Sequence, residues 1–354
     1  MSMVLLDKEV FWPPADELLE AAERIRRRLG EWPAGSKAWR ICLSEPDHPR
    51  SGDLIVGNVE PLPDGVGRLT VGAGRATLHL DDVEYELEGE WSDDWPAALA
   101  AFLDCGFEPH DALVLALAWR PANLDELDAW PVDFSTFPRV ANLPAAPSKP
   151  FPHCPDRLGL YPVLPSAEWV ERVLDQGVET AQLRRKTTDS GDLKREIERS
   201  VAAGAKHQAR LFINDHWQEA IKAGAYGVHL GQEDVDTADL NAIAEAGLRL
   251  GLSTHGYYEI LKALHFKPSY LALGAVFPTT TKVMPTAPQG LPRLARYVRL
   301  LDGIVPLVAI GGVNGAVLRQ VLSTGVGSAA VVRAVTEAPE LAAAISALQH
   351  EFGR

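Results

Sequence analysis

A chain of 354 residues with 46% hydrophobic and 23% charged residues has room for two cores and the composition of a globular protein. Its formal net charge of −14 excludes non-specific nucleic-acid binding, which needs cations facing phosphates, so any anionic ligand must be met by a local cluster of cations. Three widely separated cysteines, Cys42, Cys105 and Cys154, fit neither a disulfide framework nor a metal cluster. With no signal-peptide core at the start and no apolar run of membrane-spanning length, the expectation is a reducing, cytoplasmic setting without a membrane partner.

Residues 1–137 read as a small α+β domain. "ADELLEAAERIRRRLG" has a helical period, and its Arg24, Arg26, Arg27 and Arg28 are expected on a solvated face. "RLTVGAG" and "ATLHLDDVEYELEG" alternate as a hairpin should, and "WPAALAAFLDCGF" with "HDALVLALAW" forms a helical pair. The tryptophans, from Trp12 to Trp130, are assigned to packing. Residues 138–157 carry six prolines without a hydrophobic period and are read as a linker.

From residue 158 to 354 the pattern changes to eight short apolar runs separated by amphipathic helical segments. The runs are "LGLYPVL", "TAQLRRK", "RLFIND", "YGVHLG", "RLGLSTH", "YLALGAV", "PLVAIGG" and "SAAVVRA". Eight strand–helix units of this kind predict a closed parallel (β/α)8 TIM barrel, with a doubly wound open sheet as the alternative. A barrel places its active site where the strands end, so the residues closing each run are the ones to inspect.

Asp215 closes the third run and Asp234 follows the fourth, so neighbouring strands bring two carboxylates together. Two such groups can share a hard cation such as Mg2+, its other positions filled by water and phosphate oxygens; the competing reading is that each caps the helix after it. In "QLRRK", alternation puts Gln182, Arg184 and Lys186 on one side and Arg185 on the other. A doubly cationic face at the barrel mouth asks for an anion, and Asn214 and Lys282 add donors; together these groups describe a magnesium–diphosphate site. "AIGGVN" and "VVRA" end runs seven and eight, where many barrels bind phosphate through backbone amides. Ser253 is expected to hydrogen-bond, since no elbow or triad accompanies it, and His229 is assigned to packing.

These strand ends, "AQLRRK", "LFINDHW", "YGVHLGQED", "GLSTH", "LGAVFPTTTK", "VAIGGV" and "AAVVRAV", resemble thiamine-phosphate synthase in order and spacing over residues 158 to about 350. The resemblance implies an enzyme, a transferase joining 4-amino-5-hydroxymethyl-2-methylpyrimidine diphosphate to a thiazole phosphate, with small phosphorylated molecules as partners. It implies that Gln182, Arg184, Lys186, Asn214, Ser253 and Lys282 bind the pyrimidine diphosphate, with Arg185 in the same cationic run. Of these, Arg184, Lys186, Ser253 and Lys282 would act in catalysis. Asp215 and Asp234 would hold Mg2+. Thr279, Thr280 and Thr281, with Gly312, Val332 and Arg333, would meet the thiazole phosphate. Four departures from the family pattern are Arg185 in place of a usual acidic residue, His216 where arginine is common, Ala275 in place of a usual proline and Arg333 in place of a usual serine. The loop "FPTTTK" is expected to order when ligands bind.

A thiazole tautomerase of the same barrel family and a non-catalytic sensor of thiamine precursors are the rival readings. The N-terminal half bears a faint likeness to the end of hydroxymethylpyrimidine-phosphate kinase in "AALAAFLDCGFEPHDALVLALAW", with Trp91 and Ser92 interrupting the expected Gly-rich turn. That implies a degenerate domain without kinase activity. A homo-oligomer is compatible with the sequence, which does not determine the oligomeric state.

Overall fold

The computed structural model describes residues 6–33, 37–126, 128–280 and 286–353. The chain divides into two units, residues 1–144 and 145–354.

The first unit is built on one seven-stranded sheet in sequential order: β1 (Phe11–Trp12), β2 (Arg40–Cys42), β3 (Asp53–Val56), β4 (Gly67–Gly72), β5 (Arg75–Leu80), β6 (Val83–Glu88) and β7 (Arg139–Val140). The strands β1 to β4 pair in parallel and β4 to β7 antiparallel. Two residues, Asp81 and Asp82, join β5 to β6, both at positive φ, the geometry that matches a tight turn to strand twist. Helix α1 spans Asp16–Arg28, α2 Trp95–Asp104 and α3 Pro109–Ala118. The last two are buried nearly all round, which explains why they are almost purely Ala, Leu, Val and Phe.

The arginine cluster of α1 is not a uniformly solvated face: Arg26 is buried, donating to Asp104 at 2.6 Å and to the Gly30 carbonyl at 2.8 Å. Its guanidinium bridges two helix ends. Asp53, fully buried, accepts two hydrogen bonds from Arg40 at 2.8 and 2.7 Å and one from the Arg50 backbone N–H at 2.9 Å. Burial works against the Asp53 carboxylate, but these donors more than offset it and hold its carboxyl below the ordinary range. Trp119 and Trp130 are packed inside, with Trp32 stacked on Trp130, whereas Trp12 is exposed.

The second unit is a closed barrel of eight parallel strands: β8 (Gly159–Leu164), β9 (Thr180–Leu183), β10 (Arg210–Asn214), β11 (Gly227–Leu230), β12 (Arg249–Thr254), β13 (Tyr270–Leu273), β14 (Leu307–Ala309) and β15 (Ser328–Val331). The open-sheet alternative is thereby excluded. Outside run α4 (Ala167–Leu174), α5 (Ser190–His207), α6 (Trp217–Ala223), α7 (Gln232–Val235), α8 (Leu240–Glu245), α9 (Tyr257–His265), α10 (Gly290–Leu301), α11 (Leu318–Leu322), α12 (Arg333–Thr336) and α13 (Leu341–Phe352). Their starts follow local chemistry: Ser166, Asp189 and Asp239 each accept from a backbone N–H of the first turn, and Gly224 ends α6 at φ +68°.

The Pro-rich segment 138–157 is shared between the units. Arg139–Val140 is the last strand of the first sheet, while residues 149–154 lie against the barrel: Lys149 Nζ donates to the Glu245 carbonyl at 3.0 Å, and Ser269 Oγ to the Pro152 carbonyl at 2.7 Å. Arg249 Nε donates to the His153 carbonyl at 2.9 Å, and Cys154 joins Leu158 in the barrel core. All three cysteines are buried free thiols, and burial pushes Cys154 up to about 12. Among the described residues no helix is long and apolar enough to cross a membrane.

The barrel interior is filled by Tyr161, Val163, Phe212, Tyr270, Ala272, Val308 and Ala330. Large rings on some strands require small residues on their neighbours. A Cβ on Gly227 would lie 2.5 Å from the Phe212 ring, and one on Gly251 would overlap the Tyr270 ring. Because Tyr270 is fully buried and hydrogen-bonded, it cannot yield. Gly251→Ala is therefore expected to destabilise the barrel by about 1–3 kcal/mol, the usual cost of overpacking, as read from urea unfolding of wild type and variant.

Candidate active site

A cleft of about 510 Å³ opens where the barrel strands end, and it gathers most of the residues singled out by the sequence. Gln182 lines it from β9 and Arg184 and Lys186 from just beyond it, Asn214 from β10 and Asp215 from just beyond it, and Asp234 from the segment after β11. Ser253 follows on β12, Thr279 after β13, and Gly312, Val332 and Arg333 after β14 and β15.

Two expected residues are elsewhere. Arg185 turns outward and binds Asp192 of α5 with Nε at 2.9 Å and Nη2 at 2.7 Å, as strand alternation requires once Arg184 faces inward. Thr280 is exposed outside the cleft wall. Thr281 and Lys282, and with them most of the loop expected to order on binding, lie outside the described residues.

The carboxylates occupy specialised backbone. Asp215 has φ +63°, its N–H donating to the His229 carbonyl at 2.9 Å, and α6 begins without a side-chain cap. The capping reading therefore fails for Asp215. Asp234 does cap: its Oδ2 accepts the Gly231 N–H at 3.0 Å at the start of α7, one helix earlier than expected. The two carboxyl groups are close enough for each to feel the other's charge. Asp215 is an exposed residue of the cleft lining, and partial desolvation there, followed by the charge of Asp234, pushes its carboxyl up to about 6 against the pull of Arg184 and His216.

Such a pair fits a hard divalent cation. Like charges that repel when empty are relieved by a cation, and among the described residues no third His, Cys, Asp or Glu completes a softer ligand set. Water and phosphate oxygens would fill the remaining positions.

Beneath the mouth lies a chain of hydrogen bonds that sequence reasoning did not find. Gln182 Nε2 donates to Tyr161 OH at 3.2 Å, and the Tyr161 and Tyr270 hydroxyls are 2.9 Å apart. Tyr270 OH lies 2.7 Å from His229 Nδ1, and His229 Nε2 lies 2.8 Å from Ser253 Oγ. Burial raises both phenols, so they remain neutral and serve as donors and acceptors. His229 is buried, as expected, yet it also lines the cleft. The Ser253–His229 pair lacks the carboxylate that orients a nucleophile's base, since a phenol occupies that place. The available signal was polar atoms at inward positions of otherwise apolar strands.

The Gly-Gly turn has a packing origin. Gly311 and Gly312 have φ +95° and +68°, and a Cβ on Gly312 would lie 2.6 Å from Phe277 Cβ and 2.7 Å from the Pro278 carbonyl oxygen. The missing side chains admit the loop after β13, where the Val276 and Phe277 N–H groups donate to the Ile310 and Gly311 carbonyls at 2.9 and 3.0 Å. Loops six and seven thus form one wall.

A closed barrel with paired carboxylates and facing cations at its mouth defines an enzyme that handles phosphorylated substrates. The profile of the family described as thiamine monophosphate synthase matches residues 160–335. The thiamine-phosphate synthase of Neisseria meningitidis serogroup A is 59% identical over 192 residues, 54% of this chain and 93% of the relative. That of Escherichia coli O9:H4 is 58% identical over 191 residues, 54% and 90% respectively. Among solved structures, a thiamine phosphate pyrophosphorylase from Pyrococcus furiosus matches with 29% identity and a TM-score of 0.48, covering 56% of this chain and 96% of that one. The chain belongs to the thiamine-phosphate synthase family.

The raised carboxyl makes a signed prediction. Folded Asp215 holds its proton up to about pH 6, whereas the unfolded residue loses it near 3.8, so between these values the folded state binds more protons. Stability from this group is present below pH 3.8, declines as pH rises through the window and is gone above 6. Metal-free Asp215→Asn should therefore melt above wild type at pH 7.5. Mg2+ should raise the wild-type Tm more at pH 7.5 than at pH 5.5, and leave the variant's Tm unchanged. Scanning calorimetry with and without the metal reads all three.

Proposed function

We propose that the chain condenses 4-amino-5-hydroxymethyl-2-methylpyrimidine diphosphate with a thiazole phosphate, yielding thiamine phosphate and diphosphate. The observation that carries this reading is the meeting, in one cleft, of the Asp215–Asp234 pair with Arg184, Lys186 and Asn214. Isomerising a thiazole requires neither a paired-carboxylate metal site nor a cationic face for diphosphate.

The reaction is read as a dissociative substitution. Arg184 and Lys186 neutralise charge that grows on the departing diphosphate, while Asn214 and Ser253 donate hydrogen bonds to it. Gln182, anchored through Tyr161, orients the pyrimidine end. A bound Mg2+, held by Asp215 and Asp234, would supply Lewis-acid stabilisation of the diphosphate oxygens. On the opposite wall Thr279, the amides about Gly312 and Val332, and Arg333 receive the thiazole phosphate, which sets the ring nitrogen against the reacting methylene. Charge placement and orientation suffice, so no residue is needed as a covalent nucleophile.

Mixing both substrates with Mg2+ tests the reading, and absence of thiamine phosphate would sink it. Arg184→Ala should lower kcat/KM by about 10²–10³-fold, the scale of losing a preorganised charge partner, whereas Arg185→Ala should stay within about threefold. Equal losses would show that the cleft is misassigned.

We infer also that residues 1–144 are a degenerate relative of the end of hydroxymethylpyrimidine-phosphate kinase, without its activity. At the start of α2, Asp94 N–H is bonded to Ser92 Oγ at 3.2 Å, and Asp93 and Asp94 place negative charge where a phosphate would need donors. The unit should form no pyrimidine diphosphate from ATP. A chain beginning at Ala145 should retain kcat within about threefold, while one beginning at residue 156, lacking Phe151 and Cys154, should melt at a lower temperature. Loss of turnover on the first cut would give the N-terminal unit a role in the reaction.

A further inference from the structure

His255 lines the cleft two residues beyond Ser253 and is unused by the roles assigned above. Alternation puts both on the same side of the β12 end, with His255 nearer the mouth. Its surroundings are unusual for a surface histidine. Glu259 Oε2 accepts the His255 backbone N–H at 2.8 Å and sits 2.7 Å from His255 Nδ1. Glu259 lies in the first turn of α9, so one of these bonds is a helix-capping contact that would exist without any chemistry. The second bond goes beyond capping.

A carboxylate only accepts, so an ionised Glu259 calls for the proton on Nδ1. That leaves Nε2 as the nitrogen available to a ligand in the cleft. The other charged groups lining the cleft are Glu233 and Asp234 from the segment after β11, Arg184 and Lys186 beyond β9, Asp215 beyond β10 and Arg333 beyond β15, and the segment after β13 contributes Gly274 and Ala275. Diphosphate oxygens also only accept. A ring held between Glu259 and a diphosphate can satisfy both neighbours only as imidazolium, with a proton on each nitrogen.

We propose that His255, oriented by Glu259, is the proton donor to the departing diphosphate. The assignment rests on the reaction proposed above. In that step the bond between the pyrimidine methylene carbon and the bridging oxygen breaks, and its electron pair leaves with the diphosphate. The Nε2 proton passes to a diphosphate oxygen, leaving neutral imidazole still bonded through Nδ1–H to Glu259. The thiazole nitrogen lone pair then forms the new C–N bond, and solvent returns the proton to Nε2. Proton donation lowers the charge the cleft must otherwise hold on the leaving group.

The test varies leaving-group basicity. His255→Gln and wild type are compared, with Mg2+ and thiazole phosphate, on the natural pyrimidine diphosphate and on analogues whose diphosphate bridge is difluoromethylene (less basic) or methylene (more basic). The variant should lose about 10²-fold in kcat on the natural substrate, less than about tenfold on the difluoromethylene analogue, and most on the methylene analogue, with KM for both substrates within about threefold. Equal deficits on all three, or no deficit, would overturn the assignment. Glu259→Gln keeps an acceptor for the cap and carries the same test should the first variant fold poorly: deficits graded in the same order support the proposal, and ungraded ones refute it. An inactive wild type would remove the parent reading itself, whereas an active wild type with ungraded variants would remove only the role of His255.

Discussion

Closure of the barrel, where β15 pairs with β8 from Ser328–Gly159 to Val331–Pro162, is the constraint on which the rest of the second unit depends. A parallel ring brings every strand end to the same rim, so residues as far apart in sequence as Val163 and Ala334 face a single cleft. Closure also sets the interior volume. Phe212 and Tyr270 fit only because Gly227 and Gly251 stand beside them, and the tyrosine so accommodated carries polar contacts down into the core.

The cleft sets opposing charges within a few residues of one another. Partial desolvation and then repulsion from Asp234 raise the Asp215 carboxyl, while Arg184 pulls the other way. Charges of both signs line the one cleft, and that arrangement suits joint binding of a cation and an anion. Binding at a site prepared in this way replaces repulsion within the protein by attraction to the ligands. The order below it serves the same end: the chain from Gln182 through two buried phenols and His229 to Ser253 leaves these side chains little freedom.

Strand ends were legible because their chemistry is local. In "QLRRK" a period of two separates Arg184 from Arg185, and the structure turns one inward and the other onto Asp192. Asp234 was legible only in part, since one short-range pattern is compatible with both capping and metal binding, and the structure shows it capping α7 beside Asp215. Tyr161, Tyr270 and the histidine between Tyr270 and Ser253 were not legible as a network. Each sits in an apolar run that reads as core, and their hydroxyl and imidazole partners come from other strands. Arg26 failed for a similar reason: Asp104, 78 positions away, converts a residue expected in solvent into a buried ion pair.

Composition, periodicity and punctuation by themselves determined the two-part organisation, the eight strand–helix units and the polar residues at their ends, because each depends on neighbours within a turn or a strand. Tertiary structure alone decided which of those residues share the cleft, that Asp215 faces Asp234 instead of capping α6, and that Gly312 makes room for Phe277. It also decided that His255 is tied to Glu259 at its Nδ1. Most of these outcomes turn on distances between atoms far apart along the chain, and the last on a side-chain rotamer; such distances exist only once the ring has closed and the interior is packed.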